Sequence, residues 1–168
     1  LVLCTSYKQI LNFKNLLSNF ENTYFQDKTT SKEILLKNYL SNENSILFGT
    51  SSFWEGVDLP NDKLEILVIL KVPFSNPYNP IIEAKIEQFR EKNMDPFINY
   101  QLSEAILKLK QGFGRLIRHQ NDIGVCIIAD TRILNKSYGK IILDSLPTDY
   151  TRYNSPEYVV NEIDKFLG

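Results

Sequence analysis

Residues 64–73 read Leu64-Glu65-Ile66-Leu67-Val68-Ile69-Leu70-Lys71-Val72-Pro73, a nearly unbroken apolar run closed by a proline. A strand with one wet face alternates apolar and polar residues. A continuous run needs cover on both faces, the condition of a parallel sheet wrapped by helices. The same texture recurs at residues 1–5, 46–49 and 123–129, and a short strand is expected near residues 24–26. Between these runs the spacing turns helical. Ser6 and Gln9 have capping-box spacing for a stretch reaching about Phe20, and further helices are expected at residues 31–40, 81–92 and 103–119. Pro73, Pro77 and Pro80 mark a loop, and short helices are expected at residues 137–143 and 156–167. Strand and helix in alternation predict an α/β fold, a parallel sheet with helices on both faces. In such sheets chemistry sits at the carboxyl ends of the strands.

Composition narrows the function classes. The 168 residues suit one core, so a single domain over residues 1–168 is expected. With 43% hydrophobic and 23% charged residues, and 7 Gly with 7 Pro, the chain is neither fibrous nor low in complexity. A formal net charge of -1 excludes a bulk-basic coat for nucleic acid and leaves room for a local basic stripe. Cys4 and Cys126 lie in apolar runs, which predicts buried reduced thiols and a cytoplasmic location rather than a disulfide or a metal site. The longest apolar stretch is broken by Lys71 and is too short to span a bilayer, so no membrane partner is expected. The chain opens at Leu1 within a strand-like run, with no initiator Met or signal peptide, and is expected to be a piece of a longer protein.

Three stretches carry candidate chemistry: Thr5-Ser6-Tyr7, residues 49–60 (GTSSFWEGVDLP) and residues 111–118 (QGFGRLIR). In the last, Lys108, Gln111, Arg115 and Arg118 fall on one helical stripe, with Ile106, Leu109, Phe113 and Leu116 on the opposite one. A solvated polar face explains that pattern as well as a functional one does. The glycines weigh against the plain reading: Gly112 and Gly114 each cost about 0.5–1 kcal/mol relative to Ala in a helix, a cost accepted where something approaches the backbone closely. Arginine stays charged and offers a planar fork of donors, which suits a phosphoryl group. Residues 49–52 (GTSS) offer hydroxyls and backbone N–H groups for phosphate, and Asp58 can accept from ribose hydroxyls. Phe53 and Trp54 are read as core plugs, and His119 as an exposed helix end.

FWEGVDLP, then VPF-x-x-P-x-x-P, QGFGRLIR, IIADTRI and YGK-x-x-L-x-SLP together resemble the C-terminal helicase domain of DinG/XPD-type superfamily 2 helicases over nearly the whole chain. The resemblance implies a RecA-like fold with LVLCTSY as motif IV, GTSSFWEGVDLP as motif V and QGFGRLIR as motif VI. It implies that Gln111, Arg115 and Arg118 face the γ-phosphate of ATP held by a first RecA-like domain. Gly56, Asp58 and Gly114 would lie at the nucleotide, and Ser6, Tyr7, Thr50 and Ser51 would contact the backbone of single-stranded DNA. Asp130, Arg132 and Tyr138 fit the family pattern and equally fit a brace for the sheet. Glu55 belongs to motif V without an assigned role. Asn61 stands where glycine is expected and tolerates positive φ; Ser103 stands where proline is expected and suits a helix N-cap.

No G-x-x-x-x-G-K-[ST] loop and no DEAH-like acidic box occurs in the sequence. ATP and Mg²⁺ are therefore expected to be shared with a first motor domain outside this chain. No metal is expected on the chain itself, and any iron–sulfur cluster is expected to lie outside it. The expected function is the second motor half of an ATP-dependent single-stranded-DNA translocase or helicase, inactive as an isolated piece. The alternative is a silent helicase-like module that positions single-stranded DNA for a partner exonuclease domain.

Overall fold

The computed structural model describes residues 1–50, 53, 64–119 and 121–168. Five strands, β1 (Val2–Leu3), β2 (Thr23–Phe25), β3 (Ile46–Gly49), β4 (Ile66–Ile69) and β5 (Val125–Ile128), form one sheet in the order β2-β3-β1-β4-β5. Every pairing is parallel: Val2 lies beside Phe48 and Val68, Thr23 beside Ile46, and Ile66 beside Val125. Among the described residues the helices include α1 (Tyr7–Leu16), α2 (Lys32–Leu40), α3 (Pro80–Glu91), α4 (Ser103–Leu116), α5 (Arg132–Asn135), α6 (Tyr138–Asp144) and α7 (Pro156–Leu167). The parallel α/β architecture expected from the apolar runs is the one observed.

Alternate residues along β1, β2 and β3 feed two cores, as the two-residue period of a strand requires. Leu3, Leu47, Leu67 and Ile69 join the larger core, together with Leu35 and Tyr39 of α2 and Ala105, Leu109 and Leu116 of α4. Cys4 and Phe48 join Ile10 of α1 in a smaller core on the other face. There the Phe48 ring stacks on Phe13 and Phe25, with centroids 5.1 and 4.9 Å apart. Phe53 is fully buried beneath Gly49, where an added Cβ would stand 2.6 Å from the Phe53 ring. Trp54 lies outside the described residues.

Local chemistry sets the starts of α1, α2 and α3. Ser31 accepts the N–H of Ile34, and Asn79 accepts that of Ile81 ahead of Pro80 in the first turn. Ser6 accepts the N–H of Gln9, while the Gln9 carboxamide reaches past the cap to Thr5 N at 2.9 Å. This is the expected capping box, displaced by one residue.

Three boundaries differ from the sequence reading. α1 ends at Leu16 rather than near Phe20, and the chain turns through positive φ at Asn22 on its way into β2. Ser103 is not an N-cap: it sits in right-handed helical backbone inside a longer run that begins with a π-helical segment, Phe97–Leu102. The cap is Asp95, whose carboxylate accepts the N–H groups of Phe97 and Ile98. At the other end α4 stops at Leu116, because Ile117 turns to extended backbone (φ -119°, ψ 110°). Arg118 and His119 therefore lie beyond the helix.

Both cysteines are free thiols. Burial pushes Cys4 up to about 11 and Cys126 up to about 12, so both stay protonated at neutral pH. Among the described residues no group of His, Cys, Asp and Glu is arranged to hold a metal ion, and no helix is long and apolar enough to cross a membrane.

Candidate functional site

The candidate residues collect at two opposite edges of the sheet. After β1 the chain turns toward β2 and β3, whereas after β4 it turns toward β5. A crevice forms at the carboxyl edge where neighbouring strands part in this way. Thr5, Ser6 and Tyr7 follow β1 directly and are exposed there, and Thr50 follows β3. The first turn of α1 carries no acidic residue, so its positive dipole end is left unneutralised by its own helix.

A buried residue that the sequence reading missed connects these positions. Gln26, just past β2 and 7% exposed, accepts the Thr50 backbone N–H at 2.7 Å and the Thr50 hydroxyl at 2.9 Å. Its amide nitrogen donates to the Tyr7 hydroxyl oxygen at 3.3 Å. Thr50 itself is only 6% exposed, and its hydroxyl proton points inward to Gln26. Ser6 and Tyr7 are thus exposed hydroxyls of the edge, the exposed Thr5 hydroxyl donates to Gln9, and Thr50 sits behind them. The signal for Gln26 was a polar residue ending the apolar strand Tyr24-Phe25, readable only once β2 and β3 are known to be neighbours. The next residue, Asp27, accepts from the N–H and hydroxyl groups of both Thr29 and Thr30. Those bonds, led by the Thr30 N–H, hold its carboxyl down to about 2.

The arginines belong to the other edge. α4 runs back along the sheet: Lys108 Nζ donates to Ser75 Oγ beyond the carboxyl end of β4, whereas Leu116 packs under Gly124, just ahead of β5. Gln111 is exposed and Arg115 half-buried on the last turns of α4. Arg118 is half-buried on the following turn, which Asp122 holds by accepting the backbone N–H groups of Arg118 and His119, each at 2.8 Å. These two bonds keep the Asp122 carboxyl below its usual range. Solvent is excluded from Nε of Arg115 and Nη2 of Arg118. Gly114 is exposed, and a Cβ added to it would meet no heavy atom within 4 Å among the described residues. Nothing described in this chain therefore demands a glycine at that position.

Asp130, just past β5, accepts the backbone N–H of Val72 just past β4 and pairs with Arg132. Tyr138 packs edge-on against Phe74, with centroids 5.5 Å apart, and the Arg132 guanidinium lies 5.3 Å from the same ring. Ser51, Gly56 and Asp58 lie outside the described residues, as do Ser52, Glu55 and Asn61.

Residues 1–149 match the family described as Helicase C-terminal domain. The chain is 42% identical to the ATP-dependent DNA helicase YoaA of Haemophilus influenzae, over 99% of this chain and 25% of that protein. It is 45% identical to the 3'-5' exonuclease DinG of Bacillus subtilis, over 68% of this chain and 12% of that protein. It thus spans a quarter or less of the length of these relatives. Among solved structures it is similar to an XPD helicase, with a TM-score of 0.63 at 22% identity over 91% of this chain and 28% of that one. That likeness identifies the RecA-like fold. On the family match over residues 1–149, this chain belongs to the helicase C-terminal domain family.

Proposed function

We propose that residues 1–168 form one domain, the second RecA-like motor half of a longer ATP-dependent translocase or helicase acting on single-stranded DNA. The observation that carries this reading is the corner between α4 and β5. Arg115 on the last helical turn and Arg118 on the turn held by Asp122 bring two guanidinium groups to one edge, with Gln111 one turn behind. Such groups act on negative charge that redistributes during phosphoryl transfer, and they need a nucleotide held by another element. The sequence has no G-x-x-x-x-G-K-[ST] run, and the chain is a quarter or less of its relatives, so a first motor domain elsewhere in the polypeptide supplies ATP and Mg²⁺. Gly114 then approaches the nucleotide from this side, Gly56 and Asp58 are assigned to the same nucleotide by the family resemblance, and any iron–sulfur cluster lies outside the chain.

At the opposite edge Ser6 and Tyr7 contact DNA phosphates, with Thr50 as support from behind, and Ser51 is assigned to the same track by the family resemblance. Ser6 accepts the Gln9 N–H, which leaves its own proton to donate outward. Hydroxyls and a helix N-terminus recognise the backbone without reading bases. The similarity to a protein named an exonuclease favours one rival, a silent domain that positions DNA for a nuclease.

The test is Arg115→Lys and Arg118→Lys in the full-length protein, since Lys keeps the charge and loses the fork. Either should cut DNA-stimulated ATPase by on the order of 10³-fold, while thermal stability changes by less than about 0.5 kcal/mol. Near-normal ATPase in a stable Arg118→Lys protein refutes the finger role. A full-length protein with no ATPase at all favours the silent domain. The isolated chain should turn over no ATP.

A further inference from the structure

We propose that Gln26 is a positioning residue that sets the direction of the Tyr7 hydroxyl, turning it into an outward donor for a DNA phosphate oxygen. The proposal rests on the reading of Tyr7 as part of the DNA track. Its argument is a chain of donor and acceptor identities. The backbone N–H of Thr50 can only donate, so the Gln26 atom 2.7 Å away must be the carbonyl oxygen Oε1. That fixes the amide the right way round and leaves Nε2, which can only donate, facing Tyr7 Oη at 3.3 Å. Tyr7 is therefore an acceptor on its inner side. Its single proton is directed away from Gln26, on a side chain that is 42% exposed at the sheet's carboxyl edge.

The arrangement is rigid where it needs to be. Gln26 is 7% exposed, its own N–H donates to Phe48 O at 2.9 Å, and Asp27 closes the turn that follows. Motifs IV and V are thereby joined through one carboxamide that belongs to neither. The polarity suits an acceptor such as phosphate and disfavours a donor.

The test uses the full-length protein, with DNA-stimulated ATPase and direct binding of oligothymidylate as readouts. Gln26→Glu keeps the shape and replaces the inward donor with an acceptor, so the Tyr7 proton turns inward. It should raise the KM for DNA about fivefold, the scale of one ordinary net hydrogen bond, with the effect falling on KM rather than on kcat. Tyr7→Phe should raise it by a similar factor, and adding Gln26→Glu to Tyr7→Phe should change it by much less than fivefold. Should the charged variant not fold, Gln26→Asn, an uncharged amide too short to reach both partners, serves in the same cycle. If Tyr7→Phe weakens binding but the two substitutions simply multiply, the orienting role is overturned and the DNA track stands. If Tyr7→Phe changes nothing, the track reading of Tyr7 falls and the proposal with it.

Discussion

The carboxylate of Asp130 accepts the backbone N–H of Val72 at 2.8 Å and so ties the chain leaving β4 to the chain leaving β5. Arg132 closes the bracket. Its side chain bonds Asp130 at 2.6 Å and reaches Val72 O at 3.5 Å, while its own backbone N–H donates to Asp130 at 3.0 Å. Burial pushes the Asp130 carboxyl up, but the bonds from Arg132 and Val72 outweigh it, and the net direction is down. The bracket explains why β4 pairs only from Ile66 to Ile69 although the apolar run continues to Pro73: past the strand, the Val72 N–H finds a side chain instead of a strand.

Asp130→Ala should therefore destabilise the fold by about 2–3 kcal/mol, since it strands a buried backbone N–H and removes the partner of Arg132. Asp130→Asn keeps an acceptor for Val72 and should cost less. Urea unfolding of the two variants checks the order; equal losses would show that the Val72 bond carries no weight.

Two glycines should respond in opposite ways. A Cβ on Gly139 would fall 1.8 Å from the Ile133 carbonyl oxygen, where α6 crosses α5, so Gly139→Ala should cost about 1–3 kcal/mol. A Cβ on Gly114 meets open space, so Gly114→Ala should raise stability by about 0.5–1 kcal/mol through helix propensity. If nucleotide approaches that backbone, the same variant should lower full-length ATPase about tenfold or more. Full ATPase in Gly114→Ala would remove the close approach.

Asp27 supplies a pH dependence. Its carboxyl, held down to about 2 by the Thr30 and Thr29 N–H groups, titrates well below the unfolded value of about 3.9. A depressed folded value means that the charged carboxylate contributes stability above the unfolded value, and that this contribution is lost as pH falls from about 4 toward 2. The carboxyl carbon resonance of Asp27 should titrate near the lower figure. The stability difference between wild type and Asp27→Asn should shrink on acidification across that window. A midpoint near 4 would show that the turn does not hold the charge.

The sequence by itself determined the class of fold and the family. Continuous apolar runs allow only strands covered on both faces, and Ser31, Asn79 and Pro80 mark helix starts by local bonds that need no distant partner. The identity of the arginine stretch was equally legible, because residue type and helical spacing are local properties. Tertiary structure decided how the candidates are distributed. Strand pairing brings Thr50 within hydrogen-bonding distance of Gln26 although the two are 24 residues apart in sequence, and no local pattern could reveal that Thr50 turns its hydroxyl inward while Tyr7 stays outside. The ends of the helical run that holds α4 were likewise set by Asp95, ahead of Phe97, and by Asp122, whose carboxylates capture backbone N–H groups that a propensity reading assigns to the helix or leaves to solvent. The Asp122 capture leaves Arg118 off the helix, on a turn at the sheet's amino edge, opposite the hydroxyls of Ser6 and Tyr7 that follow β1. The reason is physical: periodicity fixes which face a side chain takes within one element, whereas the partners of its polar atoms depend on which elements the sheet brings together.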